Sequence, residues 1–91
     1  MICCAFHGHA QRAAICEGEA TSFFRTQRGT LWPLCGPCSE RHKQIVLEVI
    51  KAGGVHVDKA AAAVFDIPLD DAETLAAFRE QDPEVLRRVV R

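Results

Sequence analysis

No run of apolar residues in this chain approaches the ~20 that a bilayer-crossing helix needs. The start, Met1-Ile2-Cys3-Cys4-Ala5-Phe6-His7, has neither the basic opening nor the continuous apolar stretch of a secretory leader. Net charge is nearly absent at −1, so there is no global pull toward nucleic acid or an anionic membrane. There is no internal repeat, and no low-complexity linker beyond the alanine run at 60–63. The cysteines number five, and an odd count excludes a fully paired disulfide framework within one chain. A reducing, cytoplasmic setting is therefore expected, where clustered Cys and His mean metal or redox chemistry more often than cross-links. No hydrolytic constellation appears either. The carboxylates of Asp70, Asp71 and Glu73 read as a helix amino terminus.

What is present begins with an apolar content of 48% in 91 residues, enough for a core and one domain with a short appendage. A chain this small buries limited apolar area, so a metal would help it fold. Charge is unevenly spread. Residues 1–52 carry six Lys/Arg against four Asp/Glu, whereas residues 53–91 carry five against eight. The expected division is a zinc-binding finger over 1–54 and a helical extension over 55–91.

The pattern that organises the sequence is Cys35-Gly36-Pro37-Cys38, with His42 four residues beyond. A second cluster lies upstream, with Cys3, Cys4, His7, His9 and Cys16. Residues 1–15 read as a loop or knuckle. Ala20–Thr26 and Thr30–Leu34 read as a hairpin, with Gly29 at positive φ in the turn and Pro33 restricted to an edge. A helix starts near Pro37, carries a buried stripe of Ile45, Val46, Val49 and Ile50, and ends at Gly53-Gly54. Beyond it, short helices are expected: Lys59–Phe65 capped by Asp58, a break at Asp66-Ile67-Pro68, a helix from Asp70 to Arg79, and a last one from Pro83 to Arg91 after Asp82. The fold class is thus α+β: a small zinc-bound knuckle, a β-hairpin and a helix, then short carboxy-terminal helices.

Zinc takes four N or S ligands in a tetrahedron, and two thiolates from one tight turn bind it well. Cys35 and Cys38 sit at a helix start, where backbone N–H groups favour thiolate charge. Cys4 and His7, as Cys-x2-His, form a second pair able to bend around the same ion. The series Cys4-x2-His7-x8-Cys16-x2-Glu19 followed by Cys35-x2-Cys38 resembles the opening of B-box-type zinc-binding domains. The hairpin between Cys16 and Cys35, followed by a helix, also looks like a treble-clef finger. The resemblance covers residues 3–52. It implies that Cys4, His7, Cys35 and Cys38 share one zinc. A second B-box site would need Cys16 with Glu19 and a mate for His42. That mate is missing, and the loop from Glu19 to Cys35 is longer than the B-box norm, so one zinc is expected. The treble-clef alternative uses Cys16, Cys35, Cys38 and one of Cys4, His7 or His42. Cys3 and His9 read as bystanders, and His56 as a surface histidine.

With no three-ligand set and poised general base in the sequence, a closed structural zinc site is expected, and the resemblance implies a non-catalytic interaction module whose partner is another protein. The apolar residues Leu75, Phe78, Leu86, Val89 and Val90 offer a surface for that partner, for self-association, or for completing the core. Two other functions stay open. Arg12, Arg25, Arg28, Arg41 and Lys43 with Phe23, Phe24 or Trp32 would suit a nucleic-acid-binding finger. The segment from Ala60 to Phe78 faintly resembles a helix-turn-helix, but it places Asp70, Asp71 and Glu73 where phosphates should lie. Cys35-Gly36-Pro37-Cys38 with Trp32 nearby also resembles the active-site string of thioredoxin-like oxidoreductases, although the upstream cluster has no place in that fold.

Overall fold

Two adjacent phenylalanines, Phe23 and Phe24, set the layering of the molecule. The structure is a computed structural model and describes residues 2–8 and 14–81. Along the chain it forms β1 (Ser22–Arg25), β2 (Leu31–Leu34), α1 (Gly36–Ala52), α2 (Val57–Ala61), β3 (Val64–Pro68) and α3 (Ala72–Arg79). The strands make one antiparallel sheet in the order β2-β1-β3. Successive side chains of a strand point to opposite faces, so the central strand β1 sends Phe23 one way and Phe24 the other. Phe23 packs with Leu31 and Phe78, its ring centroid 4.9 Å from that of Phe78. Phe24 packs with Leu34, Cys4, Cys35 and Cys38 and stacks on Phe65 at 4.7 Å. Burying each ring contributes roughly 2–3 kcal/mol relative to exposure.

The hairpin forms as the sequence indicates. Phe23 faces Pro33 and Phe24 faces Trp32 across it, and Gly29 takes φ 85° in the turn. Pro33 lies on the edge strand, where its missing N–H breaks no ladder bond. That outer edge is covered at both ends. The N–H of Ala5 donates to the carbonyl of Pro33 at 2.8 Å. The amide of Gln81 accepts from the N–H of Leu31 and donates to its carbonyl. A side-chain amide thus takes the place of a neighbouring strand and blunts an edge open to unwanted pairing.

β3 corrects the sequence reading, which has a helix break at Asp66-Ile67-Pro68 and a faint helix-turn-helix around it. Val64–Pro68 instead pairs with β1. Register shifts between Phe23 and Arg25, and Asp66 sits at φ 59°. Residues two apart in a regular strand share a face, but an extra residue reverses the alternation. Phe65 therefore joins the Phe24 layer and Ile67 the Phe23 layer. Asp66 tolerates the left-handed backbone better than most residues, and its carboxylate pairs with Lys43 of α1.

The helices also differ from expectation in detail. α1 starts one residue before Pro37 with Cys35 as its N-cap and ends at Gly53, whose N–H reaches the carbonyls of Val49 and Ile50. Its expected buried stripe is not buried: Val46 and Val49 are half-buried, and Ile45 and Ile50 are exposed. α2 begins after His56 rather than Asp58 and is shorter than expected. α3 is capped by Asp71, one residue after Asp70, whose carboxylate accepts from the N–H of Thr74 at 3.0 Å. Phe78 and Leu75 of the apolar stripe pack into the Phe23 layer. His9, Arg12, Asp82 and the expected helix from Pro83 to Arg91, with Leu86, Val89 and Val90, lie outside the described residues. No described helix is long and apolar enough to cross a membrane.

Replacing Asp66 with Val should destabilise the fold by about 1–2 kcal/mol, because a β-branched residue resists the left-handed region, whereas Asp66→Gly should cost less. Chemical denaturation of both variants checks the order. Gln81→Ala strips the outer groups of Leu31 of their partners and should cost about 1–3 kcal/mol. A lowered denaturation midpoint with an unchanged slope is the expected result.

Candidate metal centre

Cys4, Cys16, Cys35 and Cys38 converge, their sulfur atoms all within 4.8 Å of one another. The sheet and α1 position two of them. Cys35 follows the last residue of β2 and serves as the N-cap of α1, and Cys38 lies in the first turn of that helix. The other two arrive on paired backbone. Residues 2–4 run against residues 18–20: Cys3 bridges Glu19, the N–H of Cys4 donates to the carbonyl of Gly18 at 2.8 Å, and the N–H of Ala20 donates to the carbonyl of Ile2 at 3.0 Å. A turn from Cys4 to His7 closes the knuckle. Cys16 enters just before the turn at Glu17-Gly18. Gly18 takes φ 87°, and a side chain there would meet the His7 ring at 3.2 Å. The positive φ is what calls for glycine here, and a side chain would in addition press on the exposed His7 ring.

All five cysteines are free. The sulfurs of Cys16 and Cys35 are 3.9 Å apart, far beyond the ~2.05 Å of a disulfide. Four sulfurs at about 2.3 Å from one ion in a tetrahedron lie about 3.8 Å from each other, so the group matches a metal-centred arrangement after only a small contraction. Cys4, Cys35 and Cys38 are 2%, 0% and 0% exposed, and Cys16 is half-buried. The donor set fits a soft or borderline divalent ion.

Burial acts on the thiols unequally. It pushes the Cys4 thiol up to about 11 and raises Cys38 further. Burial also works against ionising Cys35, but hydrogen bonding from the backbone N–H groups of Glu17 and Cys38 and from the thiols of Cys38 and Cys4 together lowers this thiol. The N–H of Glu17 lies 3.5 Å from the Cys35 sulfur. One thiolate is therefore prepared by the helix start and the adjoining turn, and Cys4 and Cys38 need a cation to ionise.

Cys4, Cys35 and Cys38 of the preferred sequence set come together. The fourth place is taken by Cys16, as in the treble-clef alternative, and not by His7. His7 is exposed, with Nδ1 3.9 Å from the Cys16 sulfur. His42 packs one turn beyond Cys38 against Phe24 and Phe65, at 4.8 and 5.8 Å. Cys3 is buried outside the group, Glu19 is exposed in the bridge to Cys3, and His56 is exposed before α2. Sequence reasoning missed the N–H of Glu17. Its one local signal is Gly18 two residues after Cys16, which marks a turn that can aim backbone donors inward. Comparison with protein-family models, with curated proteins and with solved structures finds no match to this chain.

Loading a divalent ion must displace protons from Cys4 and Cys38, so apparent affinity should rise with pH and the ion should be shed on acidification. Calorimetry in two buffers of different ionisation enthalpy should show net proton release at pH 7. The metal-free fold should respond in the opposite sense. A thiol with a raised pKa keeps its proton longer when folded, so stability is present below the unfolded value of about 8.5 and falls as pH climbs toward about 11. Denaturation of chelated protein between those values checks the sign.

Proposed function

We propose that Cys4, Cys16, Cys35 and Cys38 hold one zinc ion in a closed structural site, and that the domain is a non-catalytic module that binds another protein. The observation that carries the metal part is the mutual approach of four sulfurs, three of them removed from solvent. Four thiolates complete a tetrahedron and leave no coordination position for a water nucleophile. Zinc suits this set because it accepts all-thiolate tetrahedral coordination and needs no redox partner. The treble-clef-like order of thiols, hairpin and helix supports the same reading, and the fuller B-box pattern with a second ion finds less support because neither Glu19 nor His42 belongs to a described group of metal-ligating side chains.

The protein-binding part draws on α1. Ile45, Leu47 and Ile50 are exposed at 37%, 56% and 38%, and they replace Leu75 and Phe78 as the apolar surface on offer. A thiol oxidoreductase would make use of the lowered Cys35 thiol. Its sulfur is shielded from solvent, however, and shared with three other thiols, which favours a ligand over a nucleophile.

Native mass spectrometry of the chain expressed without added metal should find one zinc. Its removal by a strong chelator should lower the denaturation midpoint markedly and leave only a weak cooperative transition, because structural zinc supplies much of the stability of so small a domain. Cys38→Ser should lose the ion, and Cys3→Ser, altering a buried cysteine outside the group, should keep it. A metal-free chain that retains full stability, or one carrying a Cys35–Cys38 disulfide, would overturn the reading.

A further inference from the structure

Half of the apolar stripe of α1 that the sequence leads one to expect in the core, Val46 and Val49, faces a cavity instead. Val46 and Val49 form one wall of a hollow of about 740 Å³ between α1, α2 and the sheet. Phe6, Phe24 and Trp32 form the opposite side. Sites for small organic ligands typically run from about 300 to 1,000 Å³ and are lined mostly by apolar and aromatic groups with a few placed polar ones. This hollow has that composition. Its charged members are of one sign: Arg28 from the hairpin turn and Lys59 from α2, with His56 beside them, and no carboxylate among the described lining residues. Neither Arg28 nor Lys59 has an ion-pair partner among the described residues, where both ion pairs belong to Lys43. Two cations without a carboxylate partner among the described residues, beside an apolar hollow, are complementary to one ligand chemistry, an apolar body that ends in an anion.

We propose that this cavity binds a small amphipathic organic anion, such as an aliphatic or aromatic carboxylate, with its body against Trp32, Phe24, Val46 and Val49 and its head group at Arg28 and Lys59. The site is separate from the thiol group and goes beyond the zinc reading. It shares one wall with it, because Ala5, Phe6 and Phe24 also pack around the cysteines. A ligand there would lean on the knuckle and the helix together.

Trp32 is the only tryptophan of the chain and lies in the cavity wall, which supplies a direct readout. The full chain, with its metal content measured on the same sample, is titrated with 1-anilinonaphthalene-8-sulfonate and with the uncharged N-phenyl-1-naphthylamine. The expected result is saturable binding of one sulfonate per chain, energy transfer from Trp32, and affinity about tenfold above that of the neutral probe. Octanoate should displace the sulfonate, and octanol should do so far less well. The pair Arg28→Gln and Lys59→Gln should bring the sulfonate down to the level of the neutral probe and leave the latter unchanged. Ala60→Phe should fill the hollow and weaken both probes, and the surface pair carries the test should that variant not fold. Equal affinity for charged and neutral probes, emission that grows without saturation, or displacement by a single-stranded oligonucleotide and not by octanoate would overturn the proposal. Binding that persists in folded chain without metal supports the cavity and counts only against the zinc reading.

Discussion

Cys35 is where sheet, helix and thiol group meet, and the arrangement of the rest depends on it. Its backbone ends β2 and caps α1, with φ −75° and ψ 167°, and its carbonyl accepts from the N–H of Ser39 at 2.9 Å. The direction of α1 is thereby tied to the hairpin, and Cys38 is delivered one turn on. The same residue offers a sulfur whose negative charge is favoured by N–H groups of Glu17 and Cys38. An orphan donor of a helix start ordinarily finds a Ser, Thr or Asp oxygen. Here Cys35 holds that place without a side-chain cap hydrogen bond, and its sulfur instead takes the N–H of Glu17 at 3.5 Å, so a donor of the adjoining turn is directed at a candidate metal ligand.

The remaining two thiols are held by main-chain pairing that does not itself involve sulfur. The short run of residues 2–4 against 18–20 carries Cys4 to the group, and the contact of Ala5 with Pro33 fastens the knuckle to the edge of β2. Backbone therefore does the positioning, and burial resists the ionisation of Cys4 and Cys38 within the group it assembles. A cation held there would relieve that conflict, and fold stability and metal affinity would then be two expressions of one free energy.

Local chemistry was legible in the sequence wherever a single segment decides the outcome. Strand-favouring residues flanking Gly29, Pro37 near a helix start and Gly53-Gly54 at its end gave the hairpin and α1. Cys35 and Cys38 were recognisable as one pair because their spacing fits a helix start. The choice between His7 and Cys16 was not legible, since it depends on the pairing of residues 2–4 with 18–20, which no local spacing encodes. The Cys-x2-His pattern pointed to His7, whereas the pairing turns Cys4 toward Cys16. β3 was hidden for a different reason. The bulge at Asp66 breaks the alternation that marks a strand, and Pro68 mimics a helix stop.

The stripe on α1 illustrates how periodicity can be right about amphipathicity and wrong about burial. Val46 and Val49 do lie on the inward side of the helix, yet no side chain of the sheet fills the space before them. A small domain usually cannot leave such a gap, because its core is its main source of stability. A chain whose helix start is anchored by thiols and whose sheet is sealed by Phe23, Phe24 and Phe78 has a second source. The region between α1 and α2 is then freed from the demand for close packing, and the residues around it can be read for what they would bind. Their composition, aromatic and aliphatic with two cations and no carboxylate among the described lining residues, is what a cavity kept for an anionic ligand would need and a mere packing gap would not.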